Sequence, residues 1–522
     1  MKYKVLITTS GIGSRLGDLT KYTNKSLVNV GKKPAISYIV ESYPKNTHYV
    51  ITLGYYGDQV RDFLELAYPE RTFEFVVVDK YDGPGTSLGY SMLQAKETLQ
   101  CPFIYHASDT IVNQTPPAPK TNWIGVHKGD DSAQYASWIR HGTSLVFQDK
   151  GAIEFDCLHI GLVGIKDYQL FWQVLSELHA GNQDDKMLND CVALARMLDQ
   201  KVVFDLVEFP LWLDIGNPVA LRHTREILAE DFTNLDKLEE DIFLLGDHVI
   251  KFFFDEKVCA SRVVRAKQLQ GLVPTIEGAR KNFYRYSYQG GDLYASVAKP
   301  TDFKQFLAWA EEYLWRPVNE MSRDEFKRIC LVFYKDKTEA RIQKFLSANS
   351  LEDGPTVING ESIPAVSELM RRIDFDWLSN ADQYQFHGDF ILDNIIKTNN
   401  GYCLLDWRQD FGGSLGAGDR YYDLAKLNHN LTVNHGIVHD NLFWTKTNSD
   451  GSISVDIYTK SSLNECKQLL CNFIKDKSMD QKRVDILTGI IWLNMSPLHH
   501  HPFNVFLFYF GKYHLWQALN CQ

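Results

Sequence analysis

Apolar and polar positions divide the chain into recognisable elements. Lys4 to Thr9 reads as a short apolar strand, residues 10–16 as a glycine loop, and a second strand is expected at Val28-Asn29-Val30 before Pro34. Phe103 to Ala107 is another apolar strand, running into Ser108-Asp109. Residues 241–254 read as two strands around Gly246-Asp247, a strong hairpin signal. Residues 220–228 and 261–269 pattern as helices, Tyr284 to Leu293 as one aromatic strand, and Phe503 to Trp516 as an aromatic helix that belongs in a core. Between them, Tyr384 to Phe386 lead into a tight His387-Gly388 turn and an ordered loop. Two β-prone runs follow, Ile395-Ile396 and Tyr402 to Leu405, joined by Asn399-Asn400-Gly401.

That loop and hairpin carry the densest chemistry. Asp389 and Asn394, with Asp406 twelve residues further on, place two carboxylates and an amide as a phosphoryl-transfer site needs them. One carboxylate can accept a hydroxyl proton, and the amide and the other carboxylate can hold Mg²⁺. A second constellation lies at the opposite end. Gly11 and Gly13 let backbone N–H groups approach phosphate closely, and Arg15 and Lys25 add the cationic charge a polyphosphate requires. A glycine loop also opens dinucleotide-binding units, but here no GxGxxG is completed and no acid closes a strand about twenty residues on.

Residues 235–522 resemble the aminoglycoside phosphotransferase and choline kinase superfamily, through His387-Gly388-Asp389 to Asn394, Leu405-Asp406-Trp407 and Gly418-Asp419-Arg420-Tyr421-Tyr422-Asp423-Leu424-Ala425, with Arg420 where proline is usual. The resemblance implies Asp389 as catalytic base and Asn394 and Asp406 as metal ligands. It also implies a small lobe at about 235–300, a large lobe at about 301–522, and a lysine for the ATP phosphates. Lys251 is the candidate, although a lysine there also suits an edge strand and residues 261–269 offer no acid to pair with it. The strand at 284–293 would lead to the adenine hinge.

Residues 1–230 resemble the sugar-phosphate nucleotidyltransferases, on Gly11-Ile12-Gly13-Ser14-Arg15-Leu16, Thr20 and Asn24-Lys25-Ser26-Leu27, with Asn24 where proline is usual. The resemblance implies nucleotide binding by Gly11, Gly13, Ser14, Gly85, Thr86 and Ser87, and Mg²⁺ on Asp109 and on Asp214 of Trp212-Leu213-Asp214-Ile215-Gly216. In that chemistry a phosphate attacks the α-phosphorus of a nucleoside triphosphate. The protein need only align the anions and neutralise charge, which is work for Lys25 and Arg15.

The expected architecture is therefore α/β: a Rossmann-like nucleotidyltransferase domain with a mixed sheet, then a two-lobed protein-kinase-like α+β domain, divided in the acidic stretch at 225–240. The implied function is serial. ATP phosphorylates a small alcohol or sugar, CTP or UTP then activates the phosphate, and the product feeds capsule, lipopolysaccharide or other surface polymers. Two other readings stay open: a regulatory protein with one degenerate nucleotide-binding domain, and an N-terminal glycosyltransferase fused to a kinase.

At 522 residues and 44% hydrophobic, the chain can bury several cores. A net charge of −10 gives no field for nucleic acid. Nine cysteines without a CxxC pair fit reduced thiols in the cytoplasm, with Cys466 and Cys471 packed on a helix. No signal peptide or membrane span is expected; an oligomer is left open.

Overall fold

The structure is a computed structural model that describes residues 2–141, 144–182, 186–228 and 238–520. The acidic stretch at 230–236, where the domain boundary is expected, lies outside the described residues. The chain forms two compact units. One comprises Met1–Cys259 with Glu277–Tyr286, and the other Ala260–Ile276 with Ser287–Gln522.

The first unit is built on strands β1 (Lys4–Thr8), β2 (His48–Leu53), β3 (Thr72–Val77), β4 (Phe103–Ala107), β5 (Thr110–Val112), β6 (Trp123–His127), β7 (Ser137–His141), β8 (Ser144–Gln148), β9 (Cys157–Ile165), β10 (Asp205–Glu208) and β11 (Trp212–Asp214). Nine of them make a Rossmann-like mixed sheet in the order β10-β6-β9-β4-β1-β2-β3, with β7 and β8 attached beside β9. The centre is parallel, since β1 pairs in that sense with both β2 and β4. A parallel strand covered on both faces must be apolar throughout, and Val5, Leu6 and Ile7 are fully buried. Alternation sends them to opposite sides: Val5 and Ile7 join one core with Ile36, Tyr49 and Phe63, and Leu6 joins another with Met92, Phe103 and Trp172.

One expectation for this region needs correction and another needs refinement. No strand forms at 28–30; Lys25–Leu27 is a 3₁₀ turn capped by Asn24, Asn29 bridges Pro34, and helix Ala35–Glu41 follows. The second strand is β2, because the asparagine cap satisfies the local backbone before a ladder can start. The hairpin at 241–254 forms as β12 (Glu240–Leu245) and β13 (His248–Phe253), and it joins β14 (Ile276–Ala279) and β15 (Phe283–Ser287) in a sheet ordered β12-β13-β15-β14. Its Phe243, Ile250, Phe252 and Phe283 belong to the same core as Phe63 of helix Gly57–Ala67, with the Phe63 and Phe243 rings 5.5 Å apart. Apolar area rather than chain order decides where that hairpin packs.

In the second unit, β16 (Asp292–Leu293) pairs with β19 (Ile395–Thr398), which pairs with β20 (Gly401–Leu404). The single aromatic strand expected over 284–293 is thus broken into β15 and β16, with Gly291 at φ 141° between them. A second sheet, β18-β17-β22-β21, uses β17 (Thr356–Ile358), β18 (Glu361–Ile363), β21 (Phe443–Thr447) and β22 (Ile453–Ile457). Helix Phe503–Asn520 extends the expected aromatic helix and packs on Gln481–Met495, where Trp492 meets Phe510 at 4.7 Å between rings. Cys466 and Cys471 lie on helix Ser461–Asp476 as free thiols. Among the described residues no helix is long and apolar enough to cross a membrane.

Candidate active site

The mouth of the first unit's sheet holds a cavity of about 580 Å³. Gly11, Gly13, Ser14, Arg15, Lys25, Thr86, Ser87, Asp109 and Asp214 all line it, whereas Gly85 does not. Gly85 sits at φ 80° in the turn before Thr86, whose hydroxyl donates to the Gly83 carbonyl (2.8 Å). Ser87 then caps helix Leu88–Gln94 by accepting from the Tyr90 N–H at 3.0 Å.

Gly13 shows why the loop needs glycine. Its φ is 71°, and a Cβ there would lie 2.9 Å from the Lys25 Cβ, so a side chain would displace the lysine stem. Asn24, standing where the resemblance expects proline, is fully buried. Its amide donates to the carbonyls of Thr9 (2.8 Å) and Tyr55 (2.6 Å), and its oxygen accepts from the Ser26 N–H (2.9 Å) and hydroxyl (2.8 Å). All four hydrogen-bonding positions of the side chain are used. The departure therefore ties the glycine loop to the Lys25 turn.

Lys25 Nζ lies 2.5 Å from Asp109 Oδ2. Asp109 follows β4, and Asp214 ends β11, which pairs antiparallel with β5 in a register that sets Asp214 opposite Thr110. That register brings the two acids together. A Cβ on Gly216 would be 3.1 Å from Asp214 Oδ1 and 3.4 Å from Asp109 Oδ2. Burial pushes the Asp109 carboxyl up, but Lys25 and Arg15 outweigh it and leave it below the usual carboxylate range. Asp214 moves the other way, raised by burial and by the charge of Asp109. Tyr135 donates its hydroxyl to Asp214 Oδ2 at 2.9 Å, and the Gly216 N–H donates to Oδ1 at 3.0 Å. Two convergent carboxylates, one resisting ionisation, make a hard oxygen donor set that suits Mg²⁺.

The same cavity is lined by residues that sequence reading missed: Tyr135, His159, Asp190 and Cys191. A histidine interrupting the apolar β9 was the available signal. His159, Asp190 and Cys191 bring ligand-type atoms within 4.8 Å of one another. Yet His159 Nδ1 accepts from the Trp138 indole at 3.2 Å, and an indole N–H only donates. Nε2 therefore carries the proton and donates to Asp190 Oδ2 at 2.8 Å. Both ring nitrogens are used, and the arrangement is a buried hydrogen-bonded pair facing the cavity.

In the second unit, the turn at His387-Gly388 is fixed from behind. The N–H groups of both residues donate to the buried Asp423 carboxylate, at 2.8 and 2.7 Å. Gly388 has φ 86°, and a Cβ there would meet Arg408 at 2.6 Å. His387 Nε2 donates to the Leu405 carbonyl (2.8 Å) and Nδ1 accepts from the Asp389 N–H (3.2 Å). Burial outweighs the pull of Asp389 and lowers the His387 pKa to about 4, so the ring is neutral. Burial also raises Asp423 to about 6.

Asp389 Oδ1 meets Lys426 Nζ at 2.6 Å, and Oδ2 accepts from the Asn394 amide at 3.2 Å. Burial would raise Asp389; Lys426, His387 and Arg408 more than offset it and hold the carboxyl well below its ordinary value. The Leu405 N–H donates to the Asn394 carbonyl at 2.7 Å, which sets Asp406 beside the loop at φ 54°. Arg262 Nη1 lies 3.7 Å from Asp406 Oδ1. Arg262 and Arg265 come from helix Glu256–Gln268, the one without an acid for Lys251 over 261–269. Arg265 is buried against the Phe386 ring at 3.8 Å and donates to the carbonyls of Phe386, His387, Arg408 and Leu415. This helix therefore secures the loop through arginines. Lys251 itself is half-buried on β13 opposite Ile242, in the first compact unit.

Around the GDxxxDLA-like segment, Asp419 caps helix Arg420–Asn430 and accepts the Tyr334 hydroxyl at 2.8 Å. Arg420 lies over the Tyr384 ring at 4.4 Å. Tyr421 accepts from the Asp480 N–H at 3.0 Å.

No protein-family profile matches the chain. It is 25% identical over 234 residues to the bifunctional IPC transferase and DIPP synthase of Archaeoglobus fulgidus, covering 43% of this chain and 44% of that one. To the choline-phosphate cytidylyltransferase of Streptococcus pneumoniae it is 32% identical over 108 residues, 20% of this chain and 44% of that one. The chain thus spans less than half the length of these curated relatives. A solved CTP:phosphocholine cytidylyltransferase of Streptococcus pneumoniae aligns over 44% of this chain and all of its own, with 19% identity and a TM-score of 0.35. The N-terminal region resembles the sugar- and choline-phosphate nucleotidyltransferases.

Proposed function

We propose that the first unit transfers a nucleotidyl group from CTP or UTP to the phosphate of a small acceptor. The observation that carries this reading is the convergence of Lys25, Arg15, Asp109 and Asp214 on one cavity beside a glycine loop. Lys25 and Arg15 would neutralise the two approaching anions, and the loop N–H groups would align the triphosphate. Mg²⁺ held by Asp109 and Asp214 would supply further charge neutralisation at the phosphates. Tyr135 and Gly216 keep Asp214 oriented for that role.

The second unit would make the phosphate. Asp389 accepts the hydroxyl proton of a small alcohol or sugar, and Asn394 and Asp406 would hold the Mg²⁺ that accompanies ATP. The Asn394 side-chain oxygen accepts no hydrogen bond among the described residues, and Asp406 follows Leu405, whose N–H is bonded to the Asn394 backbone carbonyl, so both are suited to a hard cation. The product, a nucleoside-diphosphate-activated donor, would serve capsule, lipopolysaccharide or other surface polymers.

A regulatory reading draws on one observation: Asp389 and Asp406 each already face a basic side chain. One assay separates the two. The protein is given each nucleoside triphosphate with phosphorylated acceptors and assayed for pyrophosphate, then ATP with unphosphorylated alcohols and assayed for ADP. Release of both products supports the bifunctional enzyme. Pyrophosphate without ADP supports a degenerate second unit.

A further inference from the structure

Phe333, Lys337 and Arg341 follow one another at four-residue spacing and so share one helical face. Lys337 Nζ sits 3.9 Å from the centre of the Phe333 ring, and the Arg408 guanidinium lies 5.1 Å from the same ring. Phe333 is buried against Phe411 and Tyr422, which fixes this shared platform. Among the described residues, Lys337 meets no carboxylate at ion-pair distance. Among the described residues, Arg408 Nε is buried without a hydrogen-bond partner, and Arg341 donates to the Asn494 carbonyl at 3.3 Å. Lys426 completes the group on Asp389. Lys337 thus feels three other cations, Arg341, Arg408 and Lys426, and the carboxylate of Asp410, while Lys426 and Arg408 also act on Asp389.

Half-buried like charges repel, yet two of them share one aromatic ring and a third stands one helical turn away. Burial and the charges of Arg408 and Arg341 lower the Lys337 pKa to about 6. Burial and Arg408 lower Arg341 too. An incoming anion would relieve both effects.

We infer that Lys337, Arg341 and Arg408 form an anion subsite beside Asp389, so that the alcohol phosphorylated by the second unit already carries a phosphate or carboxylate group. This rests on the kinase reading of that unit. In the reaction, the acceptor oxygen bonds to the γ-phosphorus of the nucleoside triphosphate while the bond from that phosphorus to the β–γ bridging oxygen breaks. The diphosphate leaves, and the hydroxyl proton passes to Asp389.

Calorimetric titration of the full chain with sulfate tests the subsite alone, and ADP release with glycerol, glycerate or glycerol 3-phosphate tests the acceptor. Sulfate should bind the parent protein and Asp389→Asn, and lose at least tenfold in affinity in both Lys337→Gln and Arg341→Gln. The ratio of kcat/KM for an anionic acceptor to that for glycerol should exceed ten and fall at least tenfold in the same variants; glycerate against glycerol 3-phosphate tells which anion is meant. Sulfate binding unchanged in both folded variants would overturn the subsite. So would variants whose main defect is a higher KM for ATP, which would assign the cations to the nucleotide. If no acceptor yields ADP, the kinase reading fails while the sulfate titration still decides whether the anion subsite exists.

Discussion

The two constellations use the same chemical parts, a carboxylate paired to a lysine, and differ in what stands behind that pair. Around Asp109 and Asp214, one carboxylate is held below its ordinary pKa and the other above it, and both face a cavity of about 580 Å³ with Arg15 at its rim. Around Asp389, the base is held low by Lys426, and the histidine and aspartate behind it are buried, which disfavours their charged forms, and are fixed by hydrogen bonds to backbone. On the proposed reading both sites admit a triphosphate and Mg²⁺, and the first does so by turning two unlike carboxylates to one cavity. A site that must hold a proton acceptor in one orientation surrounds it with fixed partners. The difference lies in what stands behind each paired carboxylate, a second acid at one site and a buried turn at the other.

The sharpest way to break the comparison is Asp389→Asn. It should lower ATP-dependent phosphorylation by roughly 10²- to 10⁴-fold, the usual worth of a positioned base, while pyrophosphate release from a phosphorylated acceptor continues unchanged. Equal loss of both activities, measured side by side, would mean the two sites are not separate. Lys25→Ala should do the reverse, costing roughly 2–4 kcal/mol of transition-state stabilisation in nucleotidyl transfer alone. A mutant with normal pyrophosphate release would remove Lys25 from the chemistry.

The buried support of the second site predicts a pH signature. Burial lowers the His387 pKa to about 4 from the ordinary histidine value of 6.5, so its neutral form stabilises the fold above pH 6.5, and that contribution is lost as pH falls through 6.5 toward 4. The loss approaches about 3 kcal/mol at one pKa unit per 1.4 kcal/mol. Asp423, raised to about 6, works in the opposite sense, because the folded state binds its proton first as pH falls. Denaturant unfolding from pH 7 to 4 should therefore show the parent losing stability relative to His387→Gln. Parallel curves would contradict the buried neutral imidazole. The smallest effect expected is Tyr135→Phe, which removes one hydrogen bond to Asp214 and should weaken Mg²⁺ dependence of nucleotidyl transfer by about tenfold. A metal titration that superposes on the parent's would show that Tyr135 does not orient the carboxylate.

Several local features were legible without coordinates because their cause is local. The Gly246 hairpin, the run at Ile395–Thr398 and Gly401–Leu404, and the aromatic helix near the C-terminus follow from turn residues and periodicity. The strand expected at 28–30 failed because a side-chain cap from Asn24 competes for the same backbone, which periodicity does not register. His159 and Asp190 escaped notice because they lie on different elements and meet only across the cavity.

The sequence by itself determined the order of glycine loop, lysine and acids in the first half, and the spacing of Asp389, Asn394 and Asp406 in the second, because short-range spacing on loops and strand ends is written residue by residue. Only the tertiary structure decided which charges face one another. The β5–β11 register joins Asp214 to Asp109, the packing of helix Arg420–Asn430 brings Lys426 to Asp389, and helix Glu256–Gln268 brings arginines to the loop. Such pairings span tens to hundreds of residues in the chain, and they are fixed by which apolar faces bury together, a property of the whole fold.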